Sequence, residues 1–395
     1  MKHARTLLAL SLSSLSAAAL ADVTLYGAVD STLESVSARG AANRAQNIGQ
    51  TTRVNSNSTF IGFKGAEDLG NGLKAIWQVE SAIALDTGAG NFGTRDTFIG
   101  LSSPSLGTLQ LGHLTSSARA MGGAFDINKA ATGIGLSAAL LGKLGNLMIS
   151  DATLKNQAAG QIGLFDNRLR NSVQYTTPAF NHVSASALYS TGENSSGPRA
   201  YNANLGVKYD DGSLYAGLAY TRTTAGVDDS AASTVGMLRE VDDWRAAVIY
   251  RFSANTRLGL MYDRTSADLT RAGALAYGGG SLKQSVWYIN GALGIGANGR
   301  LIAQYGQAGK LSGGNSSLAD SGKAQHYELG YEHDLSKRTM VKVLYSEIRN
   351  NSAAKYDFAI GSIGGVANDE NFDFDALSLK EINNSFKQVY TASPA

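Results

Sequence analysis

Two arginines, Arg168 and Arg170, lie at alternate positions of a segment that ends at Thr176. Alternate residues of a β-strand face the same side, so both guanidinium groups would share a face with Ser172, Gln174 and Thr176. The opposite parity holds Val173 and Tyr175. Arginine stays charged at any relevant pH, so the first face would form a permanent basic wall. Such a wall attracts and orients anions, and it breaks no bonds.

The stretch before this segment, residues 117–167, carries charges that could oppose the wall. Its candidate acids are Asp126, Asp151 and Asp166, and its bases are Arg119, Lys129, Lys143 and Lys155. A basic wall facing a loop with carboxylates would set up a field across a narrow passage. The loop lysines offset the loop acids one for one, so Arg119 and the wall arginines remain in excess. This balance predicts a weak preference for anions.

Two lysines, Lys64 and Lys74, fall on the more polar parity of two other strand patterns and are further candidates for the same wet face. The alternative for each of these charges is a position at a rim in bulk water. There its field would be screened within about 8 Å.

The remaining motifs do not indicate catalysis. Four histidines lie beyond residue 21, at His113, His182, His326 and His333, and none has a persuasive serine partner for a lipase. The chain contains no cysteine, and no histidine pair has metalloprotease spacing. Gly294–Gly299 matches a dinucleotide-binding pattern by letter, but it is a short turn between two strand patterns with no helix after it. We therefore expect no enzyme activity, no cofactor, no metal site and no nucleic-acid partner.

The elements that would position these charges are strands with one apolar and one polar face. In the segment 243–252, Trp244, Val248 and Tyr250 alternate with Arg245 and Arg251. Charged residues almost never fill a dry core, so the charged faces must be wet. A closed barrel with an apolar outside and a wet inside satisfies both faces and leaves no unpaired edge in lipid. Composition alone leaves a soluble β-sandwich or a propeller open.

The periodicity predicts an all-β fold, a 16-stranded antiparallel transmembrane β-barrel. Its candidate strands lie at 22–36, 53–66, 71–83, 94–103, 106–116, 168–178, 182–191, 200–210, 213–224, 240–252, 256–266, 283–294, 298–308, 324–335, 338–349 and 370–380. Short and long connections alternate between them, as expected for a barrel with turns at one rim and loops at the other. The longest connection, 117–167, is predicted to fold into the lumen as its constriction. A leucine pattern from Leu136 to Met148 predicts a short helix that docks this loop on the inner wall.

The first 21 residues have the pattern of a secretory signal. A basic start at Lys2 and Arg5 is followed by an apolar run and by Ala19-Leu20-Ala21, a cleavage pattern. We expect residues 1–21 to be removed and residues 22–395 to form the barrel domain. Without Lys2 and Arg5, the chain holds 32 basic and 32 acidic side chains. Only the placement of charges, not their sum, could then give selectivity.

Several stretches resemble the general porins of beta-proteobacteria, the neisserial type included. They are Asp22-Val-Thr-Leu-Tyr-Gly, the segment 60–75, Arg95-Asp-Thr-Phe-Ile-Gly-Leu, Gly107-Thr-Leu-Gln-Leu-Gly and Asn171-Ser-Val-Gln-Tyr. The resemblance covers residues 22 to about 350. It implies sixteen strands, a homotrimer and a third extracellular loop folded into the pore. Such porins normally end on an aromatic residue, whereas this chain ends Tyr390-Thr-Ala-Ser-Pro-Ala.

The sequence thus predicts an integral bacterial outer-membrane porin, a water-filled channel for passive diffusion of ions and small hydrophilic solutes. Its partners would be two further copies, in a homotrimer, and the surrounding lipid. The flexible loop Ala84–Gly93 is the candidate latch over a neighbouring subunit. The competing reading is a plugged barrel that serves as an adhesin or receptor through its long loops.

Overall fold

The computed structural model describes residues 22–41, 44–128, 133–145, 147, 164–193, 199–225, 236–351, 354–363, 373–384 and 388–390. Sixteen antiparallel strands follow one another around a single sheet. They are β1 Asp22–Arg39, β2 Ile48–Ser56 with Phe60–Gly70, β3 Leu73–Ala82, β4 Thr97–Ser103, β5 Gly107–Thr115, β6 Arg168–Thr176, β7 Val183–Thr191, β8 Tyr201–Asp210, β9 Leu214–Thr224, β10 Leu238–Arg251, β11 Arg257–Leu269, β12 Ser281–Ile295, β13 Gly299–Ala308, β14 Ala324–Asp334, β15 Thr339–Asn350 and β16 Asp373–Asn384 with Gln388–Tyr390.

One strand, β2, is interrupted between Ser56 and Phe60 but stays in line. Both parts of β2 pair with β1, from Ser31↔Ser56 on one side of the break to Ala28↔Phe60 on the other. At the break, the Thr59 hydroxyl accepts a hydrogen bond from the Asp30 amide and donates one to the Asp30 carbonyl. These two side-chain hydrogen bonds replace the backbone hydrogen bonds that the ladder loses at the break.

The ring closes between the two ends of the chain. Strand β16 pairs with β15 on one side and with β1 on the other, in the register Arg39↔Asp373 and Ala28↔Asn384. The predicted 16-stranded barrel is confirmed, and every predicted strand overlaps an observed one. The weakly alternating C-terminal segment supplies the closing strand.

The two faces of the sheet differ as the alternation predicts. On β8 and β10 the outward parity carries exposed apolar side chains, among them Leu205, Val207, Trp244 and Val248. The inward parity of the same strands holds Asn202, Asn204, Asp243 and Arg245, which are buried. The hydrophobic surface therefore lies on the outside of the sheet, where a bilayer would cover it.

In the part of the chain that the structure describes, helical structure lies in the connections: α1 Ser117–Phe125, α2 Arg271–Tyr277, Leu147, and short 3-10 turns at Arg44–Gln46, Ser137–Ala139 and Ser316–Gly322. Among the described residues, no helix has both the length and the apolar character needed to cross a bilayer.

Candidate pore constriction

The long connection between β5 and β6 begins with α1, which lies inside the ring of strands. The Ser116 side chain caps α1 by accepting a bond from the Arg119 amide, and it donates to the carbonyl of Phe165 at the far end of the loop. The buried face of α1 consists of Ala118, Met121, Gly122 and Phe125. The amide of Asn290 on β12 donates to the Phe125 carbonyl at 2.8 Å. This helix is therefore held against the inner wall.

The central anchor of the loop is Arg245 on β10, a fully buried arginine. Its guanidinium donates to both carboxylate oxygens of Asp166, at 2.7 and 3.0 Å, and to Asp263 on β11 at 2.9 Å. It also donates to the Ala118 carbonyl at 3.2 Å, so it joins both ends of the loop. Charge-assisted paired bonds of this geometry are the strong ones, and they fix orientation as well as distance.

A second anchor holds the middle of the loop on β13–β15. Arg300 donates to the Ile127 carbonyl at 2.6 Å and pairs with Glu332. Lys342, also bonded to Glu332 at 3.5 Å, donates to the Asn128 side chain at 3.2 Å. Buried charges cost several kcal/mol each unless they are paired, and here each one has a partner.

The leucine-rich part of the loop docks as expected but not as the helix that was predicted. Leu136, Leu140, Leu141 and Leu144 are buried, and the described residues 136–145 hold the 3-10 turn Ser137–Ala139. Positive φ angles at Gly142 (66°), Leu144 (45°) and Gly145 (68°) are incompatible with a continuing helix. A single helix over the whole leucine pattern is wrong for this reason, although Leu147 is helical. Met148 lies outside the described residues.

The wet part of the lumen lies opposite the docked loop. Inward side chains of β9–β15 are mostly buried under the loop, whereas those in the short-turn halves of β2–β8 keep contact with solvent. A cavity of about 270 Å³ separates α1 from this wall, lined by Ser117, Ala120, Gln174, Ser186 and Lys208 among others. The passage thus runs between α1 and the strands of the N-terminal half.

Arginines cluster where the root of the loop meets this wall. Arg168 bonds to Asp96 at 2.6 Å, and Arg95 pairs with Glu80 while stacking 4.4 Å from the Phe60 ring. Arg119 donates to the Asp166 carbonyl at 2.6 Å. Burial, and next the positive charge of Arg168, lower the pKa of Arg119 to about 10, so Arg119 stays charged at neutral pH. We call Arg95, Arg119 and Arg168 the arginine cluster.

The positions of Arg168 and Arg170 differ from those that strict alternation along β6 predicts. A bulge interrupts β6: Gly112 pairs with Ser172 but Leu114 with Leu169, and Asn171 has a φ of 51°. Leu169 therefore takes the inward parity, packed with Leu114 and Leu188. The parity that was to place both arginines beside Ser172 does not hold. Arg168 is nevertheless tied to Asp96, and Arg170 is exposed.

The other candidates separate into wall and anchor residues. Lys64 and Lys74 are exposed and share the inward parity, with Lys64 lying 5.1 Å from the centre of the Tyr26 ring. Asp166 is committed to Arg245, and Asp126 is half-buried and bonded to Asn128. Burial raises the pKa of Asp126 to about 6. Asp151 lies outside the described residues.

Four residues of this region were not singled out by the sequence: Arg95 and Asp96 before β4, Glu80 on β3, and the anchor Arg245. The sequence offers little indication of Arg95 and Asp96, because a charged pair just before a strand is typical of the end of a loop. Within the described residues, no group of three or more histidine or acidic side chains is placed to hold a metal ion.

Comparison with known proteins agrees with this architecture. The family model for Gram-negative porins matches residues 6–353. The major outer membrane protein P.IB of Neisseria meningitidis is 29% identical over 348 residues, 86% of this chain and 91% of that protein. The Neisseria lactamica protein of the same name is 27% identical over 373 residues, 92% of this chain and 98% of that one.

Solved structures show the same fold at lower identity. An anion-selective porin from Comamonas acidovorans superposes with a TM-score of 0.70 at 22% identity, covering 93% of this chain and all of that one. OmpT of Vibrio cholerae, folded in vitro, gives a TM-score of 0.61 at 15% identity, covering 92% of this chain and 97% of that one. A trimeric form of OmpT gives 0.57 at 16% identity, with coverage of 91% and 99%.

Proposed function

Because this chain belongs to the Gram-negative porin family, it is a β-barrel diffusion channel of the bacterial outer membrane, and we propose that it passes small anions in preference to cations. Family membership makes it a channel rather than an enzyme. We further propose that residues 1–21 are the export signal and that the loop 117–167 is the constriction whose residues set the ion preference.

The arginine cluster is the observation that supports anion preference. Three guanidinium groups meet at the loop root: after burial, the positive charge of Arg168 lowers the pKa of Arg95 and of Arg119. Glu80 and Asp96 are the carboxylate partners of Arg95 and Arg168. Asp166, the acid that the loop could have added, is bound to Arg245 on the far wall and is buried there. Arginine charge therefore exceeds carboxylate charge on the pore side of α1. A narrow passage with low-dielectric walls focuses such a field.

Lys64 and Lys74 extend the positive wall towards the short-turn rim, since both are exposed and face inward. The fold neighbour from Comamonas acidovorans is described as anion-selective, which agrees with this assignment for a protein of 22% identity. Small hydrophilic solutes with a carboxylate or phosphate group would be favoured by the same field.

Reversal potential in a KCl gradient tests the proposal. The parent channel should prefer chloride, and Arg168→Ala should shift the potential towards potassium, because it removes a cation and leaves Asp96 without its 2.6 Å partner. Arg338→Ala is the matched control, since Arg338 is exposed in a short turn away from the loop root. A parent channel that prefers potassium would refute the assignment.

The outer face of the barrel supports a homotrimer. On the long-loop side of β9–β15, outward aromatic residues form a belt: Tyr220, Trp244, Tyr262, Trp287, Tyr305, Tyr327 and Tyr345. On the long-loop side of β1–β3 the outward face carries no aromatic residue among those described: its members include Ser31, Leu33, Ser35, Thr52, Val54, Ser56 and Ser81. Aromatic belts mark a lipid interface, and a face without one, made of small hydroxyl and aliphatic residues, fits a face covered by protein. We infer that β1–β3 face the neighbouring subunits.

The loop Ala84–Gly93 lies at this face and exposes Phe92, whose side chain is 77% exposed. Burying an aromatic side chain on a partner contributes about 2–3 kcal/mol. We expect Phe92→Ala to lower the temperature at which the trimer dissociates in detergent. Leu275→Ala, an equally exposed apolar truncation on α2 (81%), should leave that temperature unchanged. Light scattering of a monomer with intact conductance would contradict the trimer.

A further inference from the structure

Two aromatic side chains, Tyr26 on β1 and Phe60 on β2, face the lumen on the wall that the docked loop leaves open. Both have the inward parity, in the register Ala28↔Phe60 and Tyr26↔Gly62, and both are partly exposed. Their rings meet edge to face, with 5.9 Å between the centroids and 70° between the planes. An aromatic surface therefore lies inside the water-filled half of the passage.

The ring of Tyr26 lies flat on the wall because Gly62 leaves room for it. A Cβ atom at Gly62 would clash with the Cζ, Cε1 and hydroxyl atoms of Tyr26, so the ring crosses β2 directly above this glycine. The Tyr26 hydroxyl then donates to Glu80 on β3 at 3.0 Å, which holds the ring in place. One face of the ring thus rests on backbone, and the other is turned to the lumen.

Lys64 supplies a positive charge beside this ring. Its ammonium group lies 5.1 Å from the centre of the Tyr26 ring, and its side chain is exposed. Its neighbours across the ladder are Thr24 and Gln78, which carry no charge. Because the lysine side chain is flexible, its ammonium group can leave the cation–π contact and bind a carboxylate that arrives beside the ring.

Arg95 fixes the second ring and connects it to the constriction. Its guanidinium group lies 4.4 Å from the centre of the Phe60 ring and pairs with Glu80, the carboxylate that also accepts from Tyr26. Glu80 is buried by these contacts, so its charge is shielded from a passing solute. Since Arg95 belongs to the arginine cluster, the two rings border the constriction. An anion attracted by the cluster comes close to them.

We propose that Tyr26, Phe60 and Lys64, which we call the ring patch, bind aromatic carboxylates and make the channel favour them over aliphatic acids of equal charge and size. The solute ring would lie on the lumen face of Tyr26, in an offset stack with about 4.5–7 Å between centroids, and against the edge of Phe60. Its carboxylate would then reach the Lys64 ammonium group. This inference rests on the proposed passage of anions and adds the class of solute.

Block of the chloride current by benzoate tests the proposal, in planar bilayers that contain the purified, detergent-folded protein. Cyclohexanecarboxylate is the matched probe, because it has the same charge and nearly the same size but no π face. An aromatic contact of this kind changes affinity roughly two- to tenfold. Benzoate should therefore reach half of its maximal block at a concentration lower by that factor. Equal block by the two acids would overturn the proposal.

Variants of Tyr26 separate stacking from the structure of the wall. Tyr26→Leu should abolish the difference between the two acids, whereas Tyr26→Phe should keep it, because phenylalanine retains the ring and loses only the bond to Glu80. Tyr189→Leu is the matched control, since it removes a tyrosine that is 47% exposed on the outward face of β7, and it should also keep the difference. A benzoate preference that persists in Tyr26→Leu would overturn the assignment. Heat-modified migration on gels checks that each variant is folded.

The role of the carboxylate is tested separately. Lys64→Gln should weaken block by both acids about two- to fivefold and leave their ratio unchanged, because it removes a charge and no ring. Benzyl alcohol, a neutral aromatic probe, should block less than benzoate, and equal block would overturn recognition of the carboxylate.

Failure of this inference differs from failure of the proposed ion preference. A parent channel that prefers chloride to potassium but is blocked equally by both acids overturns the ring patch alone. A parent channel that prefers potassium and is still blocked more strongly by benzoate overturns the ion preference and supports the ring patch.

Discussion

Replacing Asp166 by asparagine tests how the constriction loop is held in place. Asp166→Asn keeps the size of the side chain and removes the charge that receives two bonds from Arg245, at 2.7 and 3.0 Å. The Arg119 bond to the Asp166 carbonyl should remain, since it uses backbone. Arg245 also keeps Asp263 at 2.9 Å. The substitution therefore weakens the attachment of the loop without opening the wall.

The size of the effect follows from the kind of bond. A hydrogen bond to a charged group contributes about 1.5–3 kcal/mol to stability. A loss of about 2 kcal/mol raises the fraction of undocked loop about 30-fold. Arg245→Met should act more strongly, by about 3–5 kcal/mol, because it leaves Asp166 and Asp263 buried without their cation. The two changes should not add when combined, since they break the same contact.

Single-channel recording is the assay. The docked loop lies on β9–β15, so a released loop would move into the open half of the lumen and interrupt the current. We expect Asp166→Asn to show more frequent closures than the parent, and Arg245→Met to show more still. Asp86→Asn, an exposed acid in the loop Ala84–Gly93, serves as the control. Closure rates equal to the parent's in both anchor variants would refute the reasoning.

Two more predictions concern the same loop. Burial lowers the pKa of Lys143 to about 8, against the attraction of Asp357 and Asp166, so the docked loop favours the neutral amine. The undocked amine, with its ordinary pKa of 10.5, binds more protons than the docked one above pH 8, so docking strengthens as pH rises from 8 towards 10.5. Closures should therefore become rarer across this range, and Lys143→Met should remove the dependence. Tyr356→Phe removes a buried hydroxyl that accepts from the Gly145 amide at 3.0 Å and bonds with Gln284. It should destabilise the docked loop by about 1–3 kcal/mol, seen as faster proteolysis of the loop, with no change at Tyr331→Phe.

The strands could be predicted because each one shows its own alternation of apolar and polar residues. Trp244, Val248 and Tyr250 alternate with charged and small residues, and a period of two admits only one interpretation in a half-exposed sheet. The break in β2 could not be predicted, because it depends on one threonine bonding across to Asp30. The bulge in β6 is equally local, since a single residue in the left-handed region reverses the parity of everything before it.

The site was less accessible to sequence reasoning than the fold. Asp166 looked like a lumen acid, and its partner Arg245 was placed on the wet face, but no local pattern joins residues that far apart. The wall position of Lys64 and Lys74 followed from alternation alone. The arginine cluster could not be predicted, because it forms only where the root of the loop meets the ends of two strands. Sequence spacing does not encode that contact.

Ring closure has a consequence for the order in which this protein can fold. Val23 lies opposite Tyr390, so the last ladder to form joins the two ends of the chain. Until the C-terminal strand is in place, β1 and β15 each present an open edge that no neighbour covers. Such edges attract other strands, and contacts between distant residues form slowly. A chain shortened before residue 373 should therefore fail to insert and should aggregate, because lipid cannot satisfy the backbone groups of an open edge.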